Sequence, residues 1–215
     1  MVIIVESQAV GPFFKNGFVV ACPRTGQGVL IDPGDEVDSL LAFAARERIT
    51  LTNILLTHAH VDHITGVGGA KHALDIPVSL HRDDLFLYNR AVEQGRMFGL
   101  DVAPPPPIDA FYDPGVPFRF GQETVDILHT PGHCPGGVCL AIGRETSPDR
   151  ELFVGDTLFA GSIGRTDLPG GDYETLIRSI RTVLFRFPDE TVVHSGHGPD
   201  TTIGVERRTN PFLDE

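Results

Sequence analysis

Short apolar runs alternate with turn residues over the first third of the chain. Runs at 2–5, 18–21 and 28–31 are separated by turn signals, among them Asn16-Gly17, and predict three β-strands. Beyond a proline-glycine turn, apolar residues recur at helical spacing and predict an amphipathic helix over 36–48. The pattern therefore begins with β-structure and then adds a helix.

The rest of the chain repeats this order of strands followed by helices. A weak helix reaches about Leu74, a strand covers 77–81, a helix covers 83–98, and a stiff proline run at 103–107 is interpreted as a surface excursion. A strand at 52–56 precedes these elements. Further strands are predicted at 125–128, 138–142, 152–154 and 191–193, together with a helix capped by Asp172 and a short helix or tail from about Ile203. Two packed sheets with helices outside satisfy the pattern, which predicts an α/β fold.

Composition and charge exclude several classes of protein. The chain has 17 Lys and Arg against 29 Asp and Glu, a formal charge of −12, which argues against nucleic-acid binding and against docking on anionic lipid. The N-terminal sequence lacks the features of a signal peptide, and no segment is apolar enough to span a membrane, so we expect a cytoplasmic protein. Cys22, Cys134 and Cys139 lack framework spacing, which predicts reduced thiols.

A polar stretch with the pattern His-x-His-x-Asp-His follows the strand predicted at 52–56. It places three imidazoles and one carboxylate in six consecutive positions, 58–63. Buried groups of this kind are costly without partners, and a divalent cation removes that cost for all of them. One short loop can direct His58 and His60 at one ion, and Asp62 and His63 at a second.

Three later positions share one local pattern, a strand end followed by a glycine and a potential ligand. They are Gly132-His133, Gly155-Asp156 and Gly196-His197. Glycine lets the backbone turn sharply, so that these side chains can face a common pocket. The combined set of nitrogen and carboxylate donors suits zinc, iron or manganese rather than a thiolate site. The seven candidate ligands are His58, His60, Asp62, His63, His133, Asp156 and His197.

This pattern resembles the metallo-β-lactamase superfamily of binuclear metallohydrolases, over nearly the full chain. The His-x-His-x-Asp-His loop is its strongest signature, and the downstream His, Asp and His stand in the family's order. The resemblance implies a single domain over 1–215, an αββα sandwich of two mixed β-sheets flanked by helices. It also implies two divalent metal ions, zinc or alternatively iron or manganese. The implied ligands are His58, His60 and His133 for the first ion, Asp62, His63 and His197 for the second, and Asp156 as a bridge.

Within that superfamily the sequence is most similar to the short glyoxalase II (hydroxyacylglutathione hydrolase) group. The matching stretches are Gly155-Asp156-Thr157-Leu158-Phe159, Gly164-Arg165-Thr166-Asp167, Gly196-His197-Gly198-Pro199 and Asn210-Pro211-Phe212. The resemblance implies a thioesterase that cleaves S-lactoylglutathione or a related acyl-glutathione by a metal-bridging hydroxide. Asp62 and Asp156 would be its catalytic carboxylates, with Asp62 orienting the nucleophile. A thiol has pKa ~8.5, so the leaving thiolate needs little help from an acid.

The sequence departs from this group where substrate would bind. Arg165 stands at the family's basic position and is the candidate for contacting a glutathione carboxylate, with a structural ion pair as the alternative. Asp167 replaces the family's substrate-contacting aromatic residue. The chain also stops where larger members begin a C-terminal helical domain, so we expect that domain to be absent.

Other functions remain open at this point. The sequence also resembles persulfide dioxygenase, which binds one iron through a triad that would here be His58, His133 and Asp156. A non-catalytic metal-binding or partner-binding protein is a third hypothesis. Lactonase and β-lactamase activities stay within the hydrolase hypothesis.

Several further polar residues have two interpretations. We interpret His72, His81, His129 and His194 as surface or core histidines, although His129 and His194 lie near ligands in sequence and are candidates for orienting them. Asp32 is either an ordinary turn residue or a support beneath the metal loop.

Overall fold

The computed structural model describes residues 3–113, 115–144 and 150–214 of the chain. The chain divides into two compact units, the first made of 1–113 with 120–122, and the second of 114–119 with 123–215. Within the described residues, the β-structure consists of two six-stranded sheets and a two-stranded hairpin, and helices accompany both large sheets.

The first unit is built on a mixed sheet whose strand order follows the sequence. Its strands are β1 (Ile4–Val10), β2 (Lys15–Ala21), β3 (Gln27–Ile31), β4 (Thr50–Leu55), β5 (Val78–Leu80) and β6 (Ala110–Phe111). Its helices are α1 (Val37–Arg46), α2 (Val61–Ile64), α3 (Val67–Leu74), α4 (Leu85–Tyr88) and α5 (Ala91–Met97), with a 3₁₀ turn at Arg82–Asp84. The first three strands pair antiparallel, and β3 to β6 pair parallel.

The parallel half of this sheet explains where the polar loop emerges. Strands β3 and β4 are rich in buried apolar side chains such as Leu30 and Ile54, as expected for parallel strands covered on both faces. α1 buries Leu40 and Ala44. Since β4 ends at Leu55, the histidine-rich residues leave the carboxyl edge of the sheet, where ligands of parallel sheets are usually bound.

The second unit carries a mixed sheet with the order β14-β13-β10-β9-β8-β7. Its strands are β7 (Phe118–Phe120), β8 (Glu123–His129), β9 (Val138–Gly143), β10 (Glu151–Gly155), β11 (Leu158–Phe159), β12 (Ser162–Ile163), β13 (Val192–Ser195) and β14 (Thr201–Thr202). Its helices are α6 (Tyr173–Thr182) and α7 (Ile203–Thr209), with a 3₁₀ turn at Leu184–Arg186. Its core packs Leu152 and Val154 of β10 with Leu176 and Ile180 of α6.

Three local predictions differ from the structure. The first strand runs over Ile4–Val10, and Val2 of the predicted strand lies outside the described residues. Asn16-Gly17 is not a turn but part of β2, where Asn16 pairs with Ala9 and Gly17 with Gln8 of β1. The helix predicted over 83–98 is interrupted at Arg90, whose φ of −104° and ψ of 19° separate α4 from α5.

No helix within the described ranges is long and apolar enough to cross a membrane. Cys22, Cys134 and Cys139 are all buried and form no disulfide. Burial raises the pKa of the Cys139 thiol to about 11, against the smaller opposing effect of hydrogen bonds from Thr130 and Thr157. A buried thiol of this kind is unreactive, in agreement with the predicted reduced state.

Candidate metal centre

Three imidazoles of the first unit are packed together at the end of β4. The ring centroid of His58 lies 4.8 Å from that of His60 and 4.0 Å from that of His63. All three side chains are buried, and α2 follows with His60 at its N-cap, so that Asp62 and His63 sit on its first turn. The Asp62 carboxylate lies 3.7 Å from His63 Nε2.

Asp32 supports this loop from below. Its carboxylate accepts hydrogen bonds from the Thr57 amide at 2.7 Å, from the Thr57 hydroxyl at 2.5 Å and from His63 Nδ1 at 3.0 Å. Because the Thr57 hydroxyl donates to Asp32, it accepts from His58 Nδ1, 3.1 Å away. Asp32 thus selects Nε2 of His63, and through Thr57 also Nε2 of His58, as the nitrogen that can bind a metal. These bonds favour the interpretation of Asp32 as a support beneath the metal loop over that of an ordinary turn residue.

Two residues that the sequence interpretation missed brace the same loop. Asp84 accepts a hydrogen bond from the Ala59 amide at 3.0 Å. Gln94 accepts from the Val61 amide at 3.2 Å and donates to the Ala59 carbonyl at 3.0 Å. Both stand more than 20 residues from the loop in sequence, so no local pattern links them to it.

In the second unit, Asp156 lies between two histidines. Its Oδ2 is 3.6 Å from His133 Nε2 and 3.5 Å from His197 Nε2. His133 Nδ1 donates to the Arg165 carbonyl at 2.7 Å, which directs its Nε2 toward Asp156. The ring of Phe159 stands edge-on to His197, with centroids 6.0 Å apart. The structure therefore brings together the three candidate ligands of this unit.

The glycines before these ligands act as the sequence predicted at two of three positions. Gly132 has φ +134° and Gly155 has φ +49°, conformations that favour glycine. Gly196 contributes differently, since its amide donates to the Gly155 carbonyl at 2.8 Å and joins the ends of β10 and β13. Gly164 is a further close approach, where an added Cβ would lie 3.1 Å from His133 Nδ1.

Arg165 forms an ion pair with Asp167. Its Nε and Nη2 donate to the two carboxylate oxygens, each at 2.7 Å, and both side chains are exposed. The hydrogen bonds from Arg165 lower the pKa of Asp167 to about 2. The structural ion pair considered as the alternative for Arg165 is thus present, and contact with substrate stays a prediction.

His194 is clamped between two carboxylates of the second unit. Its Nε2 lies 2.7 Å from Glu151 Oε2 and its Nδ1 lies 3.0 Å from Asp200 Oδ2, while its ring stacks on Phe153. Burial lowers the pKa of His194, but the bonds from Asp200 and Glu151 outweigh burial and raise it to about 9. His194 therefore braces the loop that contains His197. His129 instead contacts the Pro135 carbonyl at 2.9 Å.

The donors within each unit fit a divalent metal. In the first unit, one ligand atom each of Asp32, His58 and His63 lie within 4.8 Å of one another. In the second, a carboxylate stands beside two imidazoles whose Nε2 atoms face it. Imidazole and carboxylate ligands suit zinc, iron and manganese.

Comparison with known proteins gives the family. The profile of the Metallo-beta-lactamase superfamily matches residues 10–197, a range that includes all seven candidate ligands. Hydroxyacylglutathione hydrolase GloC from Haemophilus influenzae is 42% identical over 195 residues, 86% of each chain.

Two solved structures share the fold over most of their length. TTHA1623 in a di-iron-bound form superposes with a TM-score of 0.85 and 43% identity, covering 97% of this chain and 100% of that chain. ETHE1 from Myxococcus xanthus gives a TM-score of 0.77 and 30% identity, covering 97% and 83%. The predicted α/β fold with two mixed sheets is confirmed, and the chain belongs to the metallo-β-lactamase superfamily.

Proposed function

We propose that the protein is a metal-dependent thioesterase that hydrolyses S-lactoylglutathione or a related acyl-glutathione. The observation that carries the proposal is the 42% identity with GloC over 86% of both chains. The presence of every ligand type that the superfamily requires supports it. In this proposal, residues 1–215 act as one catalytic domain.

We assign the seven candidate ligands to two divalent ions. His58, His60 and His133 would hold the first, Asp62, His63 and His197 would hold the second, and Asp156 would be shared by both. The bridging role of Asp156 is supported by the similar distances, 3.6 and 3.5 Å, from its Oδ2 to one imidazole assigned to each ion. The ions would be zinc, or alternatively iron or manganese, and the di-iron form of TTHA1623 supports iron among these.

The chain's own residues prepare the site for thioester cleavage. When bound, two divalent ions lower the pKa of a water molecule and polarise a carbonyl. Asp62 orients the attacking water and accepts its proton, while Asp32 and the Arg165 carbonyl fix the rings of His63 and His133. The leaving thiolate has pKa ~8.5 and departs without a general acid.

Metal quantitation and a substrate panel on one preparation test the proposal. We expect about two metal ions per chain and hydrolysis of S-lactoylglutathione without oxygen. Asp156→Ala should lose metal and reduce kcat/KM by at least about 100-fold, because both ions share that carboxylate. Asp101→Ala, at an exposed position outside any helix or strand, is the control. Full activity of Asp156→Ala would refute the bridging assignment.

A persulfide dioxygenase is the second candidate, because the sequence also resembles that family, and ETHE1, with 30% identity over 97% of this chain, shares the fold. That enzyme would bind one iron through His58, His133 and Asp156. His197→Ala separates the two, because it removes a ligand only from the two-metal site. Retained iron, and oxygen consumption on adding glutathione persulfide without thioester cleavage, would replace the hydrolase proposal.

A further inference from the structure

A buried ion pair lies in the first unit beneath the turn at 32–34. Lys15 is 2% exposed and its Nζ lies 2.6 Å from Glu36 Oε1. Lys15 also donates to the backbone carbonyl of Asp32, and Glu36 accepts from the Gly34 amide at 2.8 Å. Removing one partner of a buried pair leaves an uncompensated charge, so the two residues act as a unit.

The turn that this pair holds has an unusual backbone. Asp32 has φ +46°, a conformation that is uncommon for a residue other than glycine and persists only where the surroundings impose it. The Lys15 bond to the Asp32 carbonyl and the Glu36 bond to the Gly34 amide fix the peptide groups on either side of Pro33. The ion pair of Lys15 and Glu36 therefore helps to hold Asp32 in this conformation.

The opposite side of the turn contacts the histidine-rich loop. The Asp32 carboxylate binds Thr57 and His63. The Pro33 carbonyl accepts from the Gly66 amide at 3.0 Å, just beyond α2. Gly34 lies so close that an added Cβ would be 2.5 Å from the Asp62 carbonyl and 2.8 Å from Lys15 Cε. The turn is thus packed between the ion pair and the loop.

We propose that Lys15 and Glu36 are positioning residues for the metal loop. They hold the 32–34 turn so that Asp32 keeps the proton of His63 on Nδ1 and, through Thr57, that of His58 on Nδ1. Nε2 of each ring is then presented as the ligand atom. This inference rests on the assignment of His58 and His63 as ligands in the proposed function.

The test variant is Lys15→Met with Glu36→Gln, which removes both charges together and leaves no buried unpaired charge. The control is Arg46→Met with Glu47→Gln, an ion pair whose side chains are 68% and 47% exposed. Circular dichroism checks the fold. Calorimetric zinc titration should show at least one zinc equivalent bound about tenfold more weakly in the test variant and unchanged affinity in the control.

Nitrogen-15 NMR of the metal-free protein gives a readout that a merely stabilising role would leave unchanged. We expect the Nδ1-protonated forms of His63 and His58 to lose population in the test variant. His133, held by the Arg165 carbonyl, should keep its tautomer. If the double variant unfolds, Glu36→Asp, which keeps both charges but shortens the reach of the carboxylate to Gly34 and Lys15, serves in both measurements.

A mutant cycle with Asp32→Asn shows whether the pair acts through Asp32. If it does, adding the two substitutions to Asp32→Asn weakens zinc binding no further. A folded variant with unchanged tautomers, or losses of zinc affinity that add to that of Asp32→Asn, would overturn the inference. Zinc binding without thioester cleavage in the wild-type chain would refute the proposed function alone, since neither readout uses a substrate.

Discussion

Arg165 is the residue on which substrate choice depends in the proposed function. Its two donors toward Asp167 are the same two that a substrate carboxylate would use in a bidentate contact. Both side chains are exposed, 53% for Arg165 and 68% for Asp167, and exposed ion pairs are weak. In the proposed function, Asp167 would therefore compete with an anionic substrate for Arg165 without excluding it.

Substitution of Asp167 should reveal that competition. In Asp167→Ala the KM for S-lactoylglutathione should fall about threefold, because the substrate carboxylate no longer has to displace the Asp167 carboxylate from Arg165. In Arg165→Ala the KM should rise by about tenfold with little change in kcat, as expected for a contact made equally in ground and transition states. Steady-state kinetics measure both. An unchanged KM in the two variants would show that Arg165 serves only its ion pair.

The β11–β12 hairpin connects Asp156 to Arg165, and a buried carboxylate fixes it. Glu206 of α7 accepts from the Gly161 amide at 2.9 Å, the Thr201 hydroxyl at 2.6 Å and Asn210 Nδ2 at 2.8 Å. Asn210 also donates to the Ser162 carbonyl at 2.9 Å. Glu206 and Asn210 therefore connect the hairpin, which precedes Arg165, to α7.

Glu206→Gln should destabilise the protein by about 2 kcal/mol. The amide is nearly isosteric, but it replaces a charged acceptor of three hydrogen bonds and turns an NH₂ group toward donors. Urea unfolding measures the loss. Glu190→Gln, on the exposed segment before β13, should change the free energy of unfolding by less than about 0.5 kcal/mol. Equal stabilities of the two variants would contradict the role given to Glu206.

Local patterns predicted the elements whose causes are local. Asp172 caps α6 as predicted, accepting from the Thr175 amide at 2.7 Å, and the apolar run before the histidines forms β4. The turn predicted at Asn16-Gly17 is wrong, because both residues pair with β1 and extend β2, a contact that the dipeptide alone does not reveal. The helix predicted over 83–98 failed likewise, since its break at Arg90 separates two short helices.

The sequence predicted the candidate ligands of the site but not the residues that orient them. Histidines and aspartates at strand ends are visible in a sequence, whereas the residues that orient them are ordinary ones brought in by the fold. Asp84 and Gln94 reach the loop only because α4 and α5 lie beside it. Lys15 and Glu36 look like surface charges until the structure shows them buried.

The whole chain has a formal charge of −12, and a positive charge held between two of its carboxylates is stabilised by both of them. His194 provides one, held between Glu151 of β10 and Asp200 after β13. Its pKa of about 9 in the folded protein lies above the unfolded value of 6.5. The stabilisation is therefore complete below pH ~6.5 and is lost as pH rises through about 9, where the folded protein also releases the proton.

The variant His194→Gln should expose this linkage. At pH 6 the wild type should have a larger free energy of unfolding than the variant. This difference should shrink by roughly 3 kcal/mol between pH 6 and pH 10, because that energy corresponds to a pKa change of about two to three units. Other titrating groups cancel in the difference, and Ser39→Ala, at an exposed position with no titrating side chain, should give a difference independent of pH. Urea unfolding across this range measures both. A constant gap for His194→Gln would mean that the ring has the same pKa in the folded and unfolded protein, and a gap that grows with pH would mean that the folded ring is neutral.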